Sequence, residues 1–252
     1  MSEGFLEIRN LGMTFRDRQG GLEVLRDINF TLGQEEFLCV LGPSGSGKST
    51  LLRLIAGLLK PTAGQINFRN CDCAPRVGLV FQHANLMPWR DVWQNIALPL
   101  ELQQAGVDEI NARVDQMIRL VGLEDFSHSW PSELSGGMAQ RVAIARAFIQ
   151  EPDLLLLDEP FGALDALTRE RMGAELLTIW QDSRIPVIMV THSISEALLL
   201  SDRVLVFTHR PGQIAQDMPV TFPRPRSEEL RYTAAFQDQE RVLRGTLREK
   251  IS

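Results

Sequence analysis

Hydrophobic and polar positions divide the chain into blocks with different periods. The first third reads as short strands: Leu6 to Arg9, Glu23 to Leu32 with an interruption, and the continuous apolar run Phe37 to Leu41. Gln19-Gly20-Gly21 supplies a turn between the first two. Ser49 to Leu59 reads as a helix ending near Lys60-Pro61, where proline stops helical continuation. A hairpin-like stretch is expected from Gly64 to Phe81, with Val77 to Phe81 as a buried strand. From Val92 to Ile149 the pattern turns helical, with Val114, Met117, Ile118 and Val121 at three- and four-residue spacing.

Strand-helix alternation then resumes. Leu154 to Asp158 reads as a strand, Leu167 to Gln181 as a helix, Val187 to Thr191 as a strand and Ile194 to Leu200 as a helix. Ser193 with Glu196 forms a capping box for that last helix. Arg203 to Thr208 and Gln213 to Met218 form a final strand pair, and the tail from Phe222 is rich in Pro and Arg, then helical. The tail helix, with alternating Glu and Arg, is expected to be a solvated surface helix. The alternation predicts an α/β fold with a mostly parallel sheet flanked by helices.

At 252 residues the chain fits one large domain, or one domain with a smaller insertion. A net charge of −6 argues against a general affinity for nucleic acid. Lysine occurs only at positions 48, 60 and 250, so Lys48 is not one of many interchangeable cations. Three cysteines make no disulfide framework. Cys71-Asp72-Cys73 has no second Cys/His pair at usable spacing, so a surface turn plus one core cysteine, Cys39, is expected rather than a metal site. The first residues lack the basic and apolar regions of a signal peptide. No apolar run approaches the ~20 residues needed to cross a bilayer. A cytosolic protein is expected, with any membrane part supplied by a partner.

Gly42-Pro43-Ser44-Gly45-Ser46-Gly47-Lys48-Ser49-Thr50 matches G-x-x-x-x-G-K-[ST], with an apolar strand entering and an apolar helix leaving. Glycines let backbone N–H groups wrap phosphates at a helix N-terminus. Lys48 would reach the β- and γ-phosphates and the Ser49 hydroxyl would ligate magnesium, which points to ATP with Mg2+ as ligands. Leu154 to Leu157 followed by Asp158-Glu159 is a buried strand with two carboxylates at its C-terminal end, where open α/β sheets place ligands. Asp158 can hold the magnesium hydration shell, and Glu159 can polarise water as a general base. Leu134-Ser135-Gly136-Gly137 opens another helix, with Ser135 as N-cap and backbone N–H groups left open to an anion. One complete phosphate loop leaves this second anion site without an internal use. Ser135, Gly136 and Gly137 are therefore expected to meet the γ-phosphate of a nucleotide held by another copy.

These three stretches, in this order and spacing, resemble the Walker A, signature and Walker B motifs of ATP-binding-cassette (ABC) transporter ATPases. The likeness runs from about Phe5 to Met218. It implies a P-loop NTPase cassette with an antiparallel β portion and an α-helical subdomain at about 92–149, within an ATP-binding domain at 1–218 followed by a mostly helical extension at 219–252. It also implies roles for Phe15 (stacking on adenine), Gln82 (sensing magnesium and the attacking water), Asp165 in Ala163-Leu164-Asp165 (the D-loop) and His192 (the switch histidine). Met138 departs from the usual glutamine, as in several importer ATPases, and Gln34-Glu35-Glu36 lacks the glycine usual before the next strand.

Asn85 to Leu100, with Met87, Trp89 and Trp93, would line an apolar cleft for a helix of a membrane permease. The strings Leu86-Met87-Pro88-Trp89-Arg90, Asn95 to Leu100 and Phe222-Pro223-Arg224-Pro225-Arg226 are similar to the nitrate/sulfonate/taurine branch of importer ATPases, although thiamine-precursor and riboflavin-type importers share them. The resemblance implies a homodimer at the cytoplasmic face of the cell membrane, serving a permease and, indirectly, an extracytoplasmic solute-binding protein. The alternatives are the stand-alone ATPase of an exporter and a soluble non-transport ABC ATPase.

Overall fold

The computed structural model describes residues 4–16, 20–69, 74–162 and 164–249, apart from the side chains of residues 182 and 249. Cys71, Cys73, Ala163 and Gln19 lie outside the described residues. In chain order the elements are β1 (Leu6–Phe15), β2 (Leu22–Leu32), β3 (Phe37–Leu41), α1 (Lys48–Ile55), β4 (Ala63–Phe68), β5 (Val77–Val80), α2 (Val92–Leu102), α3 (Val107–Leu120), α4 (Gly136–Phe148), β6 (Leu154–Asp158), α5 (Ala166–Ser183), β7 (Val187–Thr191), α6 (Ile194–Leu200), β8 (Arg203–Phe207), β9 (Ile214–Pro219) and α7 (Ala234–Glu249). They group into two compact units, Met1–Pro75 with Arg184–Ser252, and Arg76–Ser183.

The first unit holds an antiparallel sheet, β2-β1-β4, and a run β7-β3-β8 in which β3 pairs in parallel with both neighbours. β9 closes that run as an antiparallel edge strand on β8. Every residue of β3 and β7 is buried, as expected of parallel strands covered on both faces. The second unit pairs β5 with β6 in parallel and carries α2, α3, α4 and α5. The α/β class read from the sequence is the class of the fold.

Four local expectations change. Glu23 to Leu32 is one continuous strand from Leu22, and its irregularity is a left-handed residue, Asp27 at φ 49°. α1 stops at Ile55 because Gly57, at φ 72°, turns the chain out, with the Leu58 N–H bonding back to Arg53 O at 2.9 Å. Gly64 to Phe81 is not a hairpin: β4 pairs with β1 and β5 with β6. The tail helix α7 is not solvated all round, because Phe236 and Leu243 on it are buried and Phe236 stacks on Phe222 with centroids 5.7 Å apart.

Candidate functional site

In the first unit, β3 delivers the chain to a loop with left-handed backbone at two glycines. Gly45 (φ 78°) and Gly47 (φ 93°) are both left-handed, and a Cβ at Gly47 would lie 2.7 Å from Leu25 Cδ2. Lys48 is buried and folds over the loop, donating from Nζ to the carbonyls of Gly42 at 2.8 Å and Pro43 at 2.9 Å. Ser46 is fully buried, and its Oγ has no hydrogen-bond partner among the described residues. Such an orphaned hydroxyl costs ~1–3 kcal/mol unless something satisfies it. α1 starts at Lys48 after its N-cap Gly47, with no side-chain cap bond and no acidic residue in its first turn, so no carboxylate of that turn offsets the positive end of the helix dipole. The loop therefore fits a polyanion such as a triphosphate, with the Ser49 hydroxyl beside it.

Sequence reasoning missed Gly212. A Cβ there would fall 2.1 Å from Ser46 O, so only glycine lets the β8–β9 connection pass under the loop. Gly212 also bonds to β2 on either side of Leu25, accepting from Arg26 N at 3.0 Å and donating to Val24 O at 2.8 Å. Its only sequence signal is the Pro211-Gly212 dipeptide, which reads as an ordinary turn.

The parallel register sets what stands beside the loop. Leu41 pairs with Thr191, so Gly42 and His192 leave neighbouring strand ends at the same level. His192 is exposed there. Its two neighbours are tied down. The Thr191 hydroxyl donates to Glu196 Oε2 at 2.6 Å, and the Ser193 N–H donates to Thr191 Oγ1 at 3.0 Å. The expected capping box is thus redrawn: Ser193 Oγ caps the Glu196 N–H at 3.2 Å, while the Glu196 carboxylate takes up Thr191. Phe15, at the end of β1, is 38% exposed. Cys39 lies in β3, where burial pushes its thiol well above the ordinary range and leaves it inert.

The second unit repeats the register logic. Val80 pairs with Leu157, so Phe81-Gln82 and Asp158-Glu159 leave β5 and β6 side by side. Asp158 is buried, and Glu159 is held in the left-handed region at φ 47°, a conformation that concentrates at functional sites. Gln82 and Glu159 flank one spot: a Cβ on Gly162 would lie 3.5 Å from Glu159 Oε2 and 3.7 Å from Gln82 Nε2. A carboxylate and an amide so placed can share a polar substrate atom such as a water.

α4 begins as the sequence predicts, with Ser135 Oγ accepting from the Met138 N–H at 3.2 Å. Ser135 and Gly136 are exposed, and Gly137 is buried against α5. Further along α4, Gln140 Nε2 donates to Phe81 O at 3.3 Å, and Arg146 donates to Ala84 O at 2.9 Å. Asn95, fully buried, donates to the carbonyls of Met87, Arg90 and Asp91 and accepts from the Met87 N–H. The segment after Gln82 is thus stitched to α2 and α4 through its backbone. Asp165 caps α5, accepting from the Thr168 N–H at 3.0 Å, and hydrogen bonds from Thr168 hold its carboxyl below the usual range. Trp89 is 69% exposed. A cavity of about 370 Å³ in this unit is lined by Leu79, Leu98, Pro99, Leu102 and Arg146 among others.

Among the described residues no cluster of three or more His, Cys, Asp or Glu side chains forms a metal cage. A magnesium ion carried in with phosphates needs only one or two protein ligands.

A phosphate loop entering α1, carboxylates ending β6 and a capped glycine pair opening α4 define a P-loop ATP-binding cassette. The solved dimeric, post-hydrolysis state of the ATP-binding cassette MJ0796, bound to ADP and Pi, superposes with a TM-score of 0.76 at 31% identity, covering 86% of this chain and 100% of that one. The ABC transporter family profile matches residues 25–162. This chain belongs to the ABC transporter family. It is 43% identical to the nitrate import ATP-binding protein NrtD of Synechococcus elongatus, covering 91% of this chain and 86% of that protein. It is 44% identical to the aliphatic sulfonates import ATP-binding protein SsuB of Bacillus licheniformis, covering 90% and 85%.

Proposed function

We propose that the chain is the ATP-hydrolysing subunit of an ABC importer for a small oxyanion or sulfonate, such as nitrate, an alkanesulfonate or taurine. The observation that carries this reading is the likeness to import ATP-binding proteins over nearly the whole of both chains, at 43% and 44% identity. Those names favour import over an exporter or a soluble non-transport ABC protein.

Lys48 and the N–H groups of Gly42 to Thr50 bind the β- and γ-phosphates of ATP, and Phe15 stacks on the base. Ser49, Gln82 and Asp158 hold magnesium, which when bound neutralises charge on the transferred phosphoryl group. Glu159 polarises the attacking water, with Gln82 orienting it and His192 contacting the γ-phosphate. Ser135, Gly136 and Gly137 of a second copy complete the site, and Asp165 lies near that junction. The exposed start of α4 suits this role, as does the dimeric state of the MJ0796 cassette.

Among the described residues no helix is long and apolar enough to cross a membrane. In this reading a separate permease supplies the pore. The subunit docks on it from the cytoplasmic face through residues 85–100, and a solute-binding protein delivers the solute on the far side. ATP-driven closure of the pair moves the permease, and hydrolysis resets it.

Glu159→Gln is expected to abolish turnover while ATP-loaded pairs accumulate in size-exclusion chromatography. Turnover of that variant at the parent rate would remove Glu159 as the base. Uptake of labelled nitrate, taurine and an alkanesulfonate by cells with and without the subunit tests the solute class.

A further inference from the structure

Phe222-Pro223-Arg224-Pro225-Arg226 has no part in the nucleotide site described above, yet both of its arginines turn onto one helix end. Arg226 Nη1 donates to Leu198 O at 3.0 Å, to Leu199 O at 3.4 Å and to Ser201 O. Arg224 Nη2 donates to Leu200 O at 2.6 Å. Leu198, Leu199, Leu200 and Ser201 carry the four carbonyls that the end of α6 leaves without intrahelical donors. Two guanidinium groups therefore satisfy the whole C-terminus of this helix, with positive charge where the helix dipole favours it.

The clamp is anchored on both sides. The Arg226 side chain is 2% exposed, and its Nε donates to Phe222 O at 3.0 Å. Burial pushes its guanidinium down to about 10, which leaves it charged at neutral pH. Arg224 Nε bonds Asp202 Oδ1 at 2.9 Å, and Asp202 Oδ2 accepts from the N–H of Phe37, the first residue of β3. Phe222 is held in turn by its stack on Phe236 of α7.

The far end of α6 is bonded to the residues on either side of His192. Ser193 caps its first turn, and Glu196 within that turn holds the Thr191 hydroxyl. Residues 196–200 are all buried, so this helix of about 10 Å is packed along its length. We infer that Arg224 and Arg226 are positioning residues for His192: the tail fixes one end of α6, and α6 sets the place of the histidine bonded in at the other. The inference rests on the reading of His192 as a γ-phosphate contact for its effect on turnover, but not for its effect on position.

The test uses the full chain and its four histidines, His83, His128, His192 and His209. Histidine-selective NMR of the nucleotide-free protein is recorded for the parent, Arg226→Gln and Arg226→Lys, with the His192 resonance identified by its loss in His192→Gln. Arg226→Gln is expected to shift or broaden His192 while His83 and His128 stay in place. Arg226→Lys, which keeps the charge but not the fork, should lie between. Turnover per ATP-binding-competent site should fall between about tenfold and a hundredfold, the cost of a small misplacement, with KM for ATP unchanged.

An unmoved His192 resonance with parental kcat overturns the inference. So does a variant that perturbs all four histidines alike and lowers only the competent fraction, since the arginines would then merely stabilise the unit. Should Arg226→Gln not fold, Arg226→Lys against the parent carries the same test. If His192→Gln turns over at the parent rate, the proposed role of His192 fails, while the resonance shift still judges the clamp.

Discussion

Gly136 and Gly137 stand side by side at the start of α4, and replacing each by alanine is expected to have opposite consequences. A Cβ at Gly137 would lie 2.9 Å from Thr168 Cγ2, inside any normal carbon contact. Thr168 cannot simply rotate away, because its hydroxyl bonds the Asp165 carboxylate. Overpacking of this kind costs ~1–3 kcal/mol, and alanine in place of glycine within a helix returns ~0.5–1 kcal/mol. The net loss, centred on ~1 kcal/mol and at most ~2.5 kcal/mol, lowers Tm by roughly 2–4 °C per kcal/mol for a chain of this size. At Gly136 the nearest atom is Leu164 Cδ2 at 3.9 Å, so a methyl group meets no clash. Gly136→Ala should therefore melt at or above the parent temperature yet lose ATP turnover, because under the proposed function its methyl would stand against the nucleotide of a second copy. Thermal melts of nucleotide-free protein at one scan rate, beside steady-state ATPase assays, separate the two effects. Thr168→Ser removes the clashing methyl and keeps the hydroxyl, so Gly137→Ala with Thr168→Ser should recover Tm. A double variant no more stable than Gly137→Ala would refute the packing argument, and a destabilised Gly136→Ala would refute the claim of open space.

Asn95→Ala removes the side-chain donor to the Arg90 carbonyl and the acceptor of the Met87 N–H, while the Met87 and Asp91 carbonyls keep the backbone N–H groups of Arg90 and residue 95; a loss of roughly 1–3 kcal/mol is expected, with faster hydrogen exchange across residues 84–91. Protection of that segment equal to the parent's would count against Asn95 as its anchor. Asp165 has its carboxyl held low by Thr168, so the ionised form is favoured in the fold. Its contribution is present above the unfolded carboxyl value of about 3.9 and fades as pH falls through the lower folded value. Asp165→Asn keeps a capping residue without the charge, so its Tm deficit relative to the parent should be seen at pH 6 and shrink in acid. A deficit constant with pH would assign the effect to geometry instead.

The strands that lead to the site are legible in the sequence because their signal is local. Phe37 to Leu41, Leu154 to Asp158 and Val187 to Thr191 are five-residue strands carrying four or five consecutive apolar residues that need cover on both faces, and the apolar pattern gives their observed bounds. Pairing is another matter. β4 sits on β1 through Gly64, whose left-handed backbone lets Asn10 pass where a Cβ would lie 2.3 Å from its carbonyl oxygen. That close approach links residues far apart in the chain, so no local pattern announces it. Gly212 under the phosphate loop is hidden for the same reason. α1 was overextended because Leu58 and Leu59 continue its apolar content, whereas Gly57 decides its end through backbone conformation. The structural use of Arg224 and Arg226 is not legible in the sequence, because all but one of the acceptors named for them, the Asp202 carboxylate, are backbone carbonyls that leave no trace in the side-chain pattern.

The pairings of Leu41 with Thr191 and of Val80 with Leu157 have a consequence for how such a chain tolerates insertions and deletions. In each unit the alignment of two functional residues is set by counting along strands rather than by the shape of a loop. An extra residue inside β3 or β7 would carry Gly42 past His192 by a full strand step, ~3.3 Å, and send alternate side chains to the wrong face. The connection from Gln103 to Gly106, which joins α2 to α3, stands in no such register and should accept added length. A library of single-codon insertions should therefore find its silent strands empty and its tolerant sites gathered in connections of that kind.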